Sequence, residues 1–210
     1  MRTAVILATT VAFLAGLDLP LDPGQWERPR WNTWADARQA DGRPAMLVTC
    51  KGPDWHSQLT LLLRYPAPVA RLVLRGEMRT DGVVQGAKPS EAARVQALFL
   101  DASGEMVGGW PACAALASGD TPWTPFAQEL TAPTGAVAVR MHVGMYLSRG
   151  AAWYRGLRVE ARGADGALLQ EQALNQPERT DTTGWAAFAP GDEDASRPLA
   201  LDLARWRHAP

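Results

Sequence analysis

The stretch AVAVRMHVGMYL, residues 136–147, alternates with a period of two. Val137, Val139, Met141, Val143 and Met145 fall on one face of an extended chain, and Arg140, His142 and Tyr146 on the other. That is the pattern of a strand with one buried and one polar face. After a turn, GAAWYRGLRVEARG (150–163) reads as the next strand, with Leu157 and Val159 alternating against Arg158 and Glu160. Upstream, PVARLVLRGEMRT (68–80) places Leu72, Leu74 and Met78 opposite Arg71, Arg75, Glu77 and Arg79. Further strands are expected at 45–51, 57–64, 93–101 and 123–130, and DASGE (101–105) is a turn signal. Helical periodicity is nearly absent; KPSEAARVQ (88–96) offers one turn at most. Many short strands with turn signals between them indicate an all-β, antiparallel β-sandwich or barrel.

Around this centre the chain changes character twice. Met1 and Arg2 precede the apolar run TAVILATTVAFLAG (3–16), which is too short to span a bilayer comfortably and fits a secretory signal peptide over residues 1–16. A buried N-terminal strand is the other reading; export is favoured, which makes the protein secreted or periplasmic with no membrane attachment after cleavage. Residues 18–43, rich in Pro, Trp and charge, show no persistent period and are read as an extended segment anchored by Trp26, Trp31 and Trp34. The sandwich is expected over 17–175, with GADGALLQEQALN (163–175) as one more hairpin arm. Residues 176–210 are polar, Pro-rich and aperiodic, a linker or the start of a following domain.

Composition excludes some functions. The net charge is -1, with 21 Lys and Arg against 22 Asp and Glu, so no basic excess points to nucleic acid. Cys50 and Cys113 are too few for a structural zinc site; they either pair, as an exported protein allows, or remain buried thiols. Catalysis finds no support. Glu77, Asp101 and Glu160 are not coupled into a carboxylate pair, and His56, His142 and His208 lie in unrelated contexts.

LVLRGEMRT (72–80), ALFLDASGEMV (97–107) and TPWTPFAQELTAPTGAVAVRMHVGMYLSRGAAWYRGLRVE (121–160) together resemble the jelly-roll carbohydrate-binding modules of secreted polysaccharide-degrading enzymes, a galactose-binding-like β-sandwich. The likeness covers about half the chain, from about Ser57 to Arg162. It implies a jelly roll and a polysaccharide or oligosaccharide partner. In that family an Asp pair follows the aromatics of the last long strand, and one carboxylate often helps to hold a structural calcium. Here Arg155 and Gly156 stand there, and a cation in a ligand's place argues against calcium, so no cofactor is expected, with a structural calcium held by backbone carbonyls as the open alternative. The C-terminal tail is similar to the lead-in of glycoside-hydrolase chains, which implies a covalently following catalytic domain. Two other readings stay open: a structural accessory domain that packs on a hydrolase barrel without binding glycan, and a fragment of a glycoside-active enzyme.

The candidate ligand-binding residues are Arg75, Glu77, Gln96, Arg140, His142 and Tyr146, with Arg79, expected to line one sheet, and Trp110 in the Gly-rich loop beside it. Guanidinium, carboxylate, amide and imidazole groups at fixed spacing next to an aromatic suit hydroxyl recognition. The same residues also suit a solvated face laced with Arg–Glu pairs. Trp123 and Trp153 are expected in the core.

Overall fold

The computed structural model describes residues 16–27, 34–52, 56–110 and 113–170. In chain order the strands are β1 (Leu17–Asp18), β2 (Trp34–Ala40), β3 (Arg43–Cys50), β4 (His56–Arg64), β5 (Arg71–Val84), β6 (Ala93–Leu100), β7 (Ala115–Ala117), β8 (Gly119–Thr131), β9 (Ala138–Tyr146), β10 (Arg149–Arg162) and β11 (Leu168–Leu169), with a single 3₁₀ turn at Pro23–Gln25. They form two antiparallel sheets. The larger runs β2-β3-β10-β5-β8, with β1 and β11 also paired to β10; the smaller runs β4-β9-β6-β7. From β3 to β6 successive strands alternate between the sheets, β7 stays in the smaller one, and alternation resumes from β8 to β10. Four strands ordered 3-10-5-8 facing four ordered 4-9-6-7 make a jelly roll.

The expected period-two faces explain the packing between the sheets. Leu59, Leu63, Val95, Phe99, Val139, Met141, Val143 and Met145 from the smaller sheet meet Met46, Val48, Leu72, Leu74, Leu157 and Val159 from the larger one, all buried. Each such side chain contributes about 1.5–3 kcal/mol by leaving water. Tyr154 crosses this core completely buried, and its hydroxyl donates to the Gly144 carbonyl of the opposite sheet at 2.9 Å. Burial pushes that hydroxyl's pKa up, so it stays a neutral donor. At Gly144 itself the backbone has φ +142, and a Cβ would collide with the Ser57 carbonyl of β4, so only glycine lets the strands close there.

One expectation needs correction. The segment 18–43 is more than an anchored tether: β1 pairs with β10, and β2 pairs with β3 from Trp34 to Ala40. The β2–β3 hairpin closes through Asp41 and Gly42, both at positive φ, which is the two-residue turn an Asp-Gly pair favours. Trp26 is an anchor, buried in the core with its indole N–H donating to the Pro20 carbonyl at 2.9 Å. Trp31, residues 1–15 of the expected signal peptide over 1–16, and residues 171–210 lie outside the described residues.

Trp153 is buried in a hydrophobic core cluster, as expected, though not in the one between the sheets. It is 9 % exposed, yet it packs on the outward face of the larger sheet with Ala40, Ala45, Leu47 and Ala151. A register shift between Arg155 and Arg158 adds a residue to β10 at Gly156, φ +57. The bulge reverses which face odd-numbered residues occupy, so Trp153 points out while Leu157 and Val159 point in. Both cysteines are free: Cys50 is buried on the core side of β3 and Cys113 is half-buried near Arg94. Burial raises both thiol pKa values, which keeps them protonated and unreactive.

Candidate functional site

The proposed ligand face divides between the two sheets. Arg75, Glu77 and Arg79 project from β5 on the larger sheet, whereas Gln96 on β6 and Arg140, His142 and Tyr146 on β9 belong to the smaller one. They cannot line one surface, because β5 and β6 are consecutive strands of a jelly roll and lie in opposite sheets. Alternation within a strand shows which residues share a face, but not which sheet the strand joins.

On the larger sheet the candidates are engaged in ion pairs. The Arg155 guanidinium donates to Glu77 Oε2 at 2.6 Å and 3.1 Å, and stacks 4.0 Å from the Trp123 ring centroid. Trp123, half-buried rather than in the core, donates its indole N–H to Asp41 at 2.7 Å. Arg79 pairs with Asp81 at 3.0 Å, and Asp81 also accepts from the Trp153 indole at 2.8 Å. Arg75 lies 3.7 Å from Glu160. This is the face of Arg–carboxylate pairs that the sequence also allowed. Arg155 is held by Glu77 and Trp123. Among the described residues no group of three or more His, Cys, Asp or Glu side chains could hold a metal ion.

The smaller sheet is different. Its outward residues stand in register across three strands. Thr60 of β4 faces His142 of β9, which faces Gln96 of β6. One pair of residues along, Gln58 faces Gly144, which faces Arg94. At that end Tyr146 packs edge-on to His56, with ring centroids 4.5 Å apart, and the Arg94 guanidinium lies 3.8 Å from the Tyr146 centroid. At the other end Arg140 stands between Leu62 and Leu98. Gln58, Thr60, Arg94 and Gln96 are only 6 %, 3 %, 5 % and 4 % exposed. Sequence reasoning found Gln96, Arg140, His142 and Tyr146 of this row and missed Gln58, Thr60 and Arg94. The signal for Gln58 and Thr60 was present, since SQLTLLLR alternates them with Leu59 and Leu61, and ARVQ alternates Arg94 and Gln96 with Ala93 and Val95.

The electrostatics follow from this burial. With the Gln58 amide oxygen turned toward Arg94, it accepts from the guanidinium at 3.0 Å and 3.3 Å. Burial lowers the Arg94 pKa from its ordinary value. Burial, then the Arg94 and Arg140 charges, bring His142 down to about 4, so its imidazole is neutral at physiological pH. Thr60 Oγ1 and His142 Nε2 are buried and make no hydrogen bond with any described residue. Trp110 stands apart in the β6–β7 connection, 68 % exposed, after Gly108 and Gly109 at positive φ.

Solved structures of similar fold include the enzymatically active domain of bacteriophage CBA120 tailspike protein 4, at 10 % identity over 67 % of this chain and 20 % of that one, TM-score 0.49. Another is the pair of CBM22-1 and GH10 modules from the Clostridium thermocellum N-terminal endo-1,4-β-D-xylanase 10B complexed with xylohexaose, at 13 % identity over 70 % and 28 %, TM-score 0.47. A third is the CBM22-1 xylan-binding domain from Paenibacillus barcinonensis, at 14 % identity over 65 % and 85 %, TM-score 0.42. The chain spans less than a third of the first two proteins. No family model matches it, and no curated protein does either. The jelly-roll assignment rests on the strand order described above.

Proposed function

We propose that this domain is a non-catalytic carbohydrate-binding module of an exported protein, and that glycan docks on the outward face of the smaller sheet. The row Thr60–His142–Gln96 carries the reading. It offers hydroxyl, imidazole and amide groups in register on rigid strands, and Thr60 Oγ1 and His142 Nε2 have hydrogen-bonding capacity that no described residue meets. A buried polar atom left unmatched costs about 1–3 kcal/mol. Sugar hydroxyls both donate and accept, so they suit a neutral imidazole and a threonine side by side. Tyr146 and His56 add aromatic surface at one end of the row. The outward face of the larger sheet supports binding less well, because its arginines and carboxylates are already matched to one another.

The test is retardation of the full chain in gels containing single polysaccharides, run alongside two double variants. Gln96→Ala with His142→Ala should abolish retardation while leaving the chain folded by circular dichroism. Arg75→Ala with Glu77→Ala should leave retardation unchanged. The opposite result would move the site to the larger sheet, and no retardation by any polysaccharide would refute the reading.

A further inference from the structure

The two sheets treat their arginines differently. On the larger sheet Arg38, Arg43, Arg71, Arg75, Arg79, Arg155, Arg158 and Arg162 each lie within 4.0 Å of a carboxylate. Only Arg149, at the exposed start of β10, lacks one among the described residues. The smaller sheet carries Arg64, Arg94 and Arg140, and none of them forms an ion pair with a described residue. Glu27, whose backbone pairs with Thr60 at the outer edge of β4, is exposed, and neither it nor the buried Glu91 just before β6 forms an ion pair with a described residue.

Arg94 is the telling member. It is 5 % exposed, and among the described residues its charge is met by the Gln58 amide oxygen and the Tyr146 ring, with no carboxylate in an ion pair. Burying an unpaired cation is costly, and buried charges are ordinarily paired. An amide dipole and a ring quadrupole offset part of that cost without supplying a counter-charge. Arg140 lies four residues from Gly144, the cross-strand partner of Arg94. At about 3.3 Å per residue the two arginines are about 13 Å apart along the strand. His142 sits between them on β9, kept neutral first by its burial and then by the two arginine charges.

We infer that the glycan taken by this face is acidic, a polysaccharide bearing uronate carboxylates, with Arg94 or Arg140 as the carboxylate's partner and Thr60, Gln96 and His142 contacting hydroxyls. This rests on the glycan-binding reading above and names its ligand class. A guanidinium fork matches a planar carboxylate through two parallel hydrogen bonds, which favours uronate over a neutral hydroxymethyl group at the same position. A nucleic acid would need a broad basic surface; here the cations are few and confined to one short row.

The experiment is titration calorimetry of the full chain with oligosaccharides from polygalacturonate, alginate and glucuronoxylan, each beside its carboxyl-reduced counterpart. A heparin oligosaccharide and a single-stranded oligonucleotide serve as further anions. At least one uronate ligand should bind about ten- to a hundredfold tighter than its reduced form, the range expected of one charge-assisted hydrogen-bonding pair. Added salt should narrow that gap. Arg94→Gln should close it, and because Arg94 is buried, the half-buried Arg140→Gln is measured too; at least one of these variants must close it in a folded chain. Equal binding of uronate and reduced forms would overturn the acidic preference while leaving glycan binding intact. Tighter binding of heparin or of the oligonucleotide would overturn the carboxylate assignment. Binding of none of these, nor of any neutral polysaccharide, would refute the glycan site itself.

Discussion

Acidification should destabilise this domain through His142 in a way that one substitution isolates. The imidazole is held down to about 4 in the folded chain, against 6.5 for an unhindered histidine, first by burial and then by the Arg94 and Arg140 charges. The folded pKa is the lower one, so between these values the unfolded chain binds the extra proton and the folded chain does not. Stability therefore rises with pH through this window and is lost as pH falls from about 6.5 toward about 4. At about pH 5 the linkage amounts to about 2 kcal/mol, reaching about 3 kcal/mol once pH is below the folded value. His142→Gln keeps a polar, uncharged side chain and removes the titration. Urea unfolding of both proteins at about pH 7.5 and about pH 5 makes the comparison, with carboxylate titrations common to the two. With a slope of about 2–3 kcal/mol per molar urea, the wild-type midpoint should fall about 0.7–1 M further than the variant's. Parallel losses in the two proteins would refute the argument, showing that the imidazole is hydrated or charged in the fold.

Other expectations can be checked in the same way. Tyr154→Phe removes the hydroxyl that joins the sheets and strands the buried Gly144 carbonyl; it should cost about 1–3 kcal/mol in urea unfolding, and no loss would mean that the carbonyl finds another donor. Arg155→Ala deletes both the Glu77 pair and the stack on Trp123; a loss of about 2 kcal/mol is expected, read as a melting point lower by about 4–8 °C. A chelator should leave the melting temperature unchanged, since the Glu77 carboxylate is taken by the Arg155 guanidinium; a fall of several degrees would reveal a metal site held by other groups. Trp110→Ala, at a side chain 68 % exposed, should leave stability within about 0.5 kcal/mol, and a larger loss would make this tryptophan a packing residue.

The sequence carried the strands well wherever one face was apolar. MHV in β9 and LVL in β5 alternate cleanly because each strand buries one side against the opposite sheet. It carried β2 poorly. WADARQA is an edge strand whose core-side positions are the half-buried Ala35 and the exposed Ala37 and Gln39, too small or polar to mark a buried face, and Pro and Trp nearby mask the weak signal. β7, three residues long, and the two-residue β1 and β11 have too few positions to show any period. The bulge at Gly156 was also invisible: unbroken alternation joins Trp153 to Leu157 and Val159, and one inserted residue sends the tryptophan to the other side.

The candidate site was half legible for a related reason. Period two reports a residue's neighbours on its own strand, and a binding face is assembled across strands. His142 and Arg140 were recognisable together because both lie on β9, but their true neighbours are Thr60 and Gln96, distant in sequence and brought into register only by the β4-β9-β6 order. Arg75 and Glu77 had the same composition and the same alternation and fell on the opposite side of the molecule. What distinguishes the two faces is the pairing of charge. Arg75 and Glu77 are satisfied by Glu160 and Arg155, so their polarity is spent within the fold. Among the described residues Arg94 has no carboxylate in an ion pair, and the buried Thr60 Oγ1 and His142 Nε2 have no hydrogen-bond partner. Polar groups that the fold itself fails to satisfy are the stronger mark of a ligand site, because a solvated face has no reason to bury them.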